Sequence, residues 1–193
     1  MNRKRNGSPY QKVAITFTAI LLTGCASGDV FSDSNMDFGS LRSVAVMPFD
    51  NLSSSEFAAA RVRDVFANML LATGAVYVLP PGEVARGLMA IGRLPPEGPS
   101  SDQIKQLAAV LNVDAVITGV VSEYGPIRSG AATANVISVN VKMIEKSSGL
   151  VVWSASSTRG GISVLDRLFG GGGAPMNTIT EKAVNELLDK LFQ

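Results

Sequence analysis

Runs of apolar residues change period several times along the chain, and each change marks a predicted element. Ser43-Val44-Ala45-Val46-Met47-Pro48-Phe49 is a short apolar run ending beside a proline, the pattern of a strand covered on both faces. Asp50 to Ser53 reads as a turn. Ser53 with Glu56 matches a capping box for a helix over 57–73, where Ala58, Val62, Val65, Phe66, Met69 and Leu70 recur at helical spacing. Gly74 is placed to end that helix. Val76 to Leu79 reads as a second strand, Pro80-Pro81 opens a helix through Val84, Leu88 and Ile91 to Gly92, and a further helix capped by Ser100 or Ser101 shows Ile104, Leu107, Ala108 and Leu111 on one face. Asp114 to Val121 is the third and most apolar strand, expected parallel to the first.

Beyond Tyr124 strict alternation takes over. Ala134 to Glu145 places Ile137, Val139, Val141 and Met143 on one face and Ser138, Asn140 and Lys142 on the other, and Lys146 to Gly149 is a hairpin turn into Leu150–Thr158. Gly125 to Thr133 is a connection of nine mostly small residues, and Arg159 to Ala174 reads as a long loop. The last helix is expected from a capping box at Thr178 and Glu181, with Val184, Leu187, Leu188 and Leu191 toward the core. The prediction is a single α/β domain over 41–193: a mixed β-sheet of about five strands, βαβ(α)αβ followed by an antiparallel meander, with helices packed on it and a C-terminal helix. Residues 25–40 are polar, Gly/Ser/Asp-rich and aperiodic; they are expected to form a flexible tether with a root-mean-square reach of roughly 20 Å.

The N-terminal pattern is different again. Arg3, Lys4, Arg5 and Lys12 precede a ten-residue apolar run, Val13 to Leu22, too short to span a bilayer as a helix; residues 1–24 read as a signal peptide. Leu22, Thr23, Gly24 and Cys25 follow in the order of a processing box. They resemble the lipobox of bacterial lipoproteins, which implies that Cys25 is lipidated and becomes the first residue of the mature chain. Diacylglyceryl transfer needs an unhindered thiol, and small Thr23 and Gly24 leave the bond before it open to a protease. The alternative is a lone buried cysteine behind an ordinary signal peptide. With Ala26 and Ser27 after the cysteine, the resemblance implies sorting to the outer membrane, with the domain facing the periplasm.

Composition narrows the function. The 193 residues contain no His and one Cys, which removes Ser-His-Asp and Cys-His arrangements, His-ligated zinc, cysteine clusters and any intramolecular disulfide. These absences argue against an enzyme, and no cofactor is expected. Loss of residues 1–24 removes four basic residues and no acidic one, leaving 13 Lys+Arg against 16 Asp+Glu. A mildly acidic chain offers no electrostatic reason to bind nucleic acid. Gly170 to Gly173 lack the Lys-Ser/Thr of a phosphate loop and read as a plain loop, and Glu123 and Glu145 read as solvated strand-end charges rather than a carboxylate pair. Trp153 is either a half-buried sheet residue or a binding anchor; Arg93, Pro95 and Pro96, in a segment that three prolines keep irregular, are candidate partner contacts; Arg61 and Arg63 are expected to face solvent.

Three segments resemble one family: Val44-Ala45-Val46-Met47-Pro48-Phe49-Asp50-Asn51-Leu52-Ser53, Asp114-Ala115-Val116-Ile117-Thr118-Gly119-Val120-Val121, and Val141 through Trp153-Ser154. They resemble the CsgG-like envelope lipoproteins, a group that includes the curli secretion lipoprotein, is similar in fold to the TolB N-terminal domain and has LpoB as a more distant cousin. The resemblance implies a membrane-anchored, non-enzymatic protein that binds an envelope protein partner in a transport or secretion system; an LpoB-like activator of a peptidoglycan synthase is the alternative. Only Cys25 matches a functional position of the group. The curli lipoprotein forms a pore through long added hairpins, whereas the nine-residue connection at 125–133 is too short to supply one, so the soluble version of the fold is expected. The Val76–Leu79 and Leu150–Thr158 strands carry no clustered lysines or prolines to block edge pairing, which together with the resemblance implies a homo-oligomer.

Overall fold

The computed structural model describes residues 30–92, 99–129, 132–161 and 173–193. Its elements are β1 (Val30–Ser32), a 3₁₀ turn (Phe38–Ser40), β2 (Ser43–Val46), β3 (Asp50–Asn51), α1 (Ala58–Thr73), β4 (Tyr77–Val78), α2 (Pro81–Ile91), α3 (Ser101–Leu111), β5 (Ala115–Ser129), β6 (Ala132–Glu145), β7 (Val151–Gly160) and α4 (Met176–Leu191). They form one mixed α/β domain built on a seven-stranded sheet in the order β1-β7-β6-β5-β2-β4, with β3 pairing beside β5. β2 runs parallel to β4 and β5, as expected of the βαβ half, and β5, β6, β7 and β1 form an antiparallel meander.

The alternation of β6 assigns the faces. Ile137, Val139, Val141 and Met143 are each no more than 2% exposed, and α1 and α4 cover them together with Val44, Val46, Ile117, Trp153 and Ala155. Inside that layer Val62, Phe66 and Leu70 of α1 are fully buried, each side chain contributing roughly 1.5–3 kcal/mol. On the other face α2 and α3 cover only Ala45, Met47, Val116 and Ile144; Ser138, Lys142, Ser154 and Thr158 stay partly or fully exposed. One sheet face is thus dry and the other half wet, as the pattern implies.

Several elements differ from expectation. The sheet has seven strands rather than about five because two short segments read as turn and tether pair along its margins. Asp50 and Asn51 lie parallel to Val120 and Val121, and Val30 to Ser32 lie antiparallel to Ala155 to Trp153, with the Asp33 amide donating to the Val152 carbonyl at 2.8 Å. The expected flexible stretch 25–40 is therefore seated on the domain from Val30 onward, with Met36 and Phe38 packed against the core. Seating occurs because β7 otherwise leaves a row of unpaired backbone groups at its edge. The same pairing corrects the expectation of an open edge at Leu150–Thr158: β1 covers Trp153 to Ala155.

Two expected capping boxes do not form. The Ser53 hydroxyl donates to Asn51 Oδ1, in a turn that holds 51–55, so α1 starts at Ala58 without a side-chain cap, and α4 starts two residues before Thr178 behind Pro175, whose fixed φ replaces a cap. Ser100 does form its box with Gln103, and Gly74 ends α1 in the left-handed region, φ 67°. Arg63 lies partly buried, at 18% side-chain exposure, against Asp64 instead of facing solvent.

The largest correction concerns 125–133. β5 and β6 stay paired from Ala115↔Glu145 to Ser129↔Ala132, so the expected loop is mostly ladder, re-aimed by a bulge between Val121 and Glu123. Beyond Val121 β5 has a strand partner on one side only, where Pro126 costs no interior ladder. The argument from loop length against a spanning hairpin loses its premise. What separates this hairpin from a membrane strand is its facing pattern, because Ala132, Ala134, Val136 and Ile137 are buried in the domain.

Gly119 of β5 is set by a close approach: a Cβ there would sit 2.8 Å from three atoms of the Phe49 ring, which packs on Phe66 at 6.0 Å between centroids. Gly119→Ala is expected to destabilise the domain by about 1–3 kcal/mol, and Phe49→Leu in the same chain to return part of it, measured by urea unfolding. An additive double mutant would show that the ring is not the obstacle.

Candidate functional site

The most connected polar cluster joins α4 to β7. Trp153 is 1% exposed, and its indole Nε1–H donates to the Lys190 carbonyl at 3.2 Å. One turn earlier, Glu186 Oε2 accepts the Ser157 hydroxyl at 2.5 Å and lies 2.7 Å from Arg159 Nε, while Oε1 lies 2.9 Å from Lys190 Nζ. Lys190 Nζ also donates to the Ser156 carbonyl at 2.7 Å, so helix and strand are joined at both ends of the ion pair. Burial works to raise the Glu186 pKa, but the Ser157 hydrogen bond and then the Lys190 and Arg159 cations outweigh it and hold the carboxyl below its ordinary value. Glu186 and Lys190 are spaced i, i+4, a pairing legible in the sequence, whereas Ser157 and Arg159 join them only through the fold.

Two other carboxylates fasten strand ends. Asp114 Oδ2 accepts the amides of Arg42 and Ser43 at 2.9 and 3.0 Å and the Ser43 hydroxyl at 3.1 Å, tying β5 to the start of β2. The Arg42 amide is the main reason its pKa is lowered. Glu145 accepts the Ser147 and Ser148 hydroxyls in the β6–β7 turn, which lower its pKa in that order. Glu123 lies opposite Ser138 while Glu145 lies opposite Ala115, about 27 Å apart along β5, so the two glutamates form no pair.

The surface offers hollows rather than a catalytic arrangement. A groove of about 630 Å³ runs beside β1, walled by Val30, Phe38, Leu41, Val76, Leu191 and Phe192, with Arg42 and Lys190 among its polar lining. A second, of about 660 Å³ between the ends of α1 and α4, shares Phe192 and Gln193 with it. Among the described residues no group of three or more Cys, Asp or Glu side chains is placed to hold a metal ion.

Of the residues singled out by sequence, Leu22, Thr23, Gly24 and Cys25, and likewise Arg93, Pro95 and Pro96, lie outside the described residues, as do Gly170 to Gly172. Trp153 is described and is not an exposed anchor. It alternates with Ala155 and Ser157 on the face that α4 covers, where its indole fills the core and its N–H is satisfied. Sequence reading missed the β1 pairing and the Glu186 cluster; for β1 the sole signal was the adjacent pair Val30-Phe31, too short to be periodic.

No protein-family model and no curated protein matches this chain in sequence. Solved structures match it in shape. The PelC dodecamer from Paraburkholderia phytofirmans superimposes with a TM-score of 0.56 at 21% identity over 83% of this chain and 95% of that one. Lipoprotein GNA1162 from Neisseria meningitidis gives 0.51 at 19% identity over 77% and 99%. The LpoB C-terminal domain from Salmonella enterica gives 0.49 at 13% identity over 66% and 87%. The chain therefore has the fold of PelC and GNA1162, one seen as a dodecamer and the other a lipoprotein.

The Glu186 cluster makes the domain sensitive to acid. Its carboxyl has a lower pKa folded than unfolded, so its stabilisation is complete above the unfolded value of about 4.3 and disappears as the pH falls through the folded value. Glu186→Gln is expected to lower the urea midpoint at pH 7 and to reduce the further loss between about pH 5 and 3, the part due to Asp114 and Glu145 remaining. Identical pH profiles for both proteins would exclude this role.

Proposed function

We propose that this chain is a lipid-anchored, non-enzymatic α/β domain of the bacterial envelope that works by binding protein, further copies of itself included, in an assembly or transport system. The observation that carries the reading is the lone thiol of Leu22-Thr23-Gly24-Cys25, five residues ahead of the strand that seats the chain on the sheet edge. The fold shared with a lipoprotein and with a dodecamer supports it. On this reading Cys25 carries the acyl chains; one chain binds membranes only marginally and two or more hold firmly. The domain stands at the outer membrane and faces the periplasm, as the residues after the cysteine favour. Partner contact falls to apolar surface such as the paired grooves, and Arg93, Pro95 and Pro96 are further candidates.

The synthase-activator alternative needs a long tether. With Val30 already paired, four residues separate Cys25 from the domain, which works against it.

Cys25→Ser is expected to leave an unprocessed or soluble protein, because no second thiol exists to accept the lipid. Membrane fractionation checks this, and a processed variant that still sediments with membranes would end the lipoprotein reading. Residues 30–193 without signal or lipid are expected to scatter light as an oligomer at micromolar concentration. A monomeric mass up to about 100 µM, where even weak contacts with Kd near that value would be half occupied, would remove self-association.

A further inference from the structure

We infer that β1 is a self-pairing edge: two copies of this chain join antiparallel through Val30–Ser32, about a two-fold axis at Phe31, into one continuous sheet. This rests on the proposed self-association and names the surface that carries it. β1 is one margin of the sheet and β4 is the other. On β4 the amides flanking Val78 point inward, from Tyr77 to the Arg42 carbonyl and from Leu79 to the Val44 carbonyl, so of its two residues only Val78 faces outward. Pro80-Pro81 follow at once with no N–H to offer, and that margin is blocked. On β1 the Asp33 amide donates inward to the Val152 carbonyl, and by the alternation of an antiparallel ladder Phe31 exchanges its bonds with Ser154. Val30 and Ser32 therefore each turn an N–H and a C=O away from β7, where among the described residues no strand meets them.

The strand is complementary to itself in one register. A two-fold axis perpendicular to the sheet keeps each face in common, so it opposes only residues an even number of positions apart. Of those registers, the one centred on Phe31 uses every outward group of the strand: Val30 of each copy exchanges both bonds with Ser32 of the other. Phe31 then meets its own copy at a non-hydrogen-bonded position, where Cα atoms approach to about 4.5 Å. Its ring is 52% exposed, on the half-wet face beside the short side chain of Ser154, and an aromatic pair across the new strand boundary covers it. On the dry side Val30 and Ser32 line the groove beside the end of α4, so the added strand borders that apolar hollow. No lysine or proline interrupts Val30–Ser32. Asp29 and Asp33 flank it, and in this register opposed carboxylates stop the ladder at three residues.

The test uses the purified full chain in detergent with one cysteine added, and the wild-type protein oxidised alongside sets the background from Cys25. Phe31→Cys is expected to give a covalent dimer on mild oxidation, because opposed non-hydrogen-bonded positions meet disulfide geometry. Val30→Cys and Ser32→Cys are each expected to stay at background, since equivalent positions there lie on a diagonal about 7–8 Å apart, while a mixture of the two variants is expected to crosslink. Tyr77→Cys on the blocked margin is expected to give no dimer. Phe31 is exposed, so Phe31→Ala leaves the fold and is expected to weaken association about ten-fold, the loss of one aromatic pair, by sedimentation. Equal yields at 30, 31 and 32, dimers at 77 in place of 31, or unchanged association of Phe31→Ala overturns the inference. Sedimentation of the wild-type chain separates the two readings. A monomer up to about 100 µM loses self-association and the inference together, while an oligomer whose Phe31→Cys variant gives no covalent dimer loses the inference alone.

Discussion

The fold depends on β6. It is paired on both sides through most of its length, and its period-2 alternation decides which face of β5 and β7 is dry, because a one-residue slip would carry Ile137, Val139, Val141 and Met143 to the wet face. Once that face is set, α1 and α4 have one surface to cover, and the hydrophobic stripes of both helices meet over it. The parallel half joins the same frame through β5, whose first residues pair with β2.

The helices on that face are held by different means. α1 is held by side-chain packing around Val62, Phe66 and Leu70. α4 adds a polar attachment, in which the Trp153 indole and the Glu186 carboxylate join helix to strand. Glu186 is partly buried and would be costly there unpaired; a hydroxyl and two cations around it turn that cost into a specific seat for the helix. Because β7 receives α4 on its face and β1 on its edge, the last helix and the start of the described chain meet beside one strand, where the grooves lie.

Seating of β1 also bears on reach. A domain on a long tether samples a wide volume, whereas on the proposed lipidation of Cys25 a chain paired from Val30 onward has five residues, at most about 17 Å, between sheet and anchor.

Composition and local pattern alone carried much of this. The resemblance of Leu22 to Cys25 to a lipobox depends on contiguous residues, the α/β order on periodicities of 2 and 3.6, and the face of each long element on which positions are apolar; all of these are properties of near neighbours. The same pattern misjudged segments whose conformation is supplied by a partner strand: Gly125 to Ser129 have poor strand propensity but lie along β6, and Val30 to Ser32 are too short to signal a strand yet pair with the edge of β7. It likewise could not decide between surface and core for Trp153, since the alternation of β7 does not say which of its two faces α4 will cover. Sequence by itself determined which residues want to be buried and the order in which strands and helices follow. Tertiary structure decided which backbone edges were open, because an unpaired strand imposes extended conformation on whatever segment reaches it, and the reach depends on residues more than a hundred positions away.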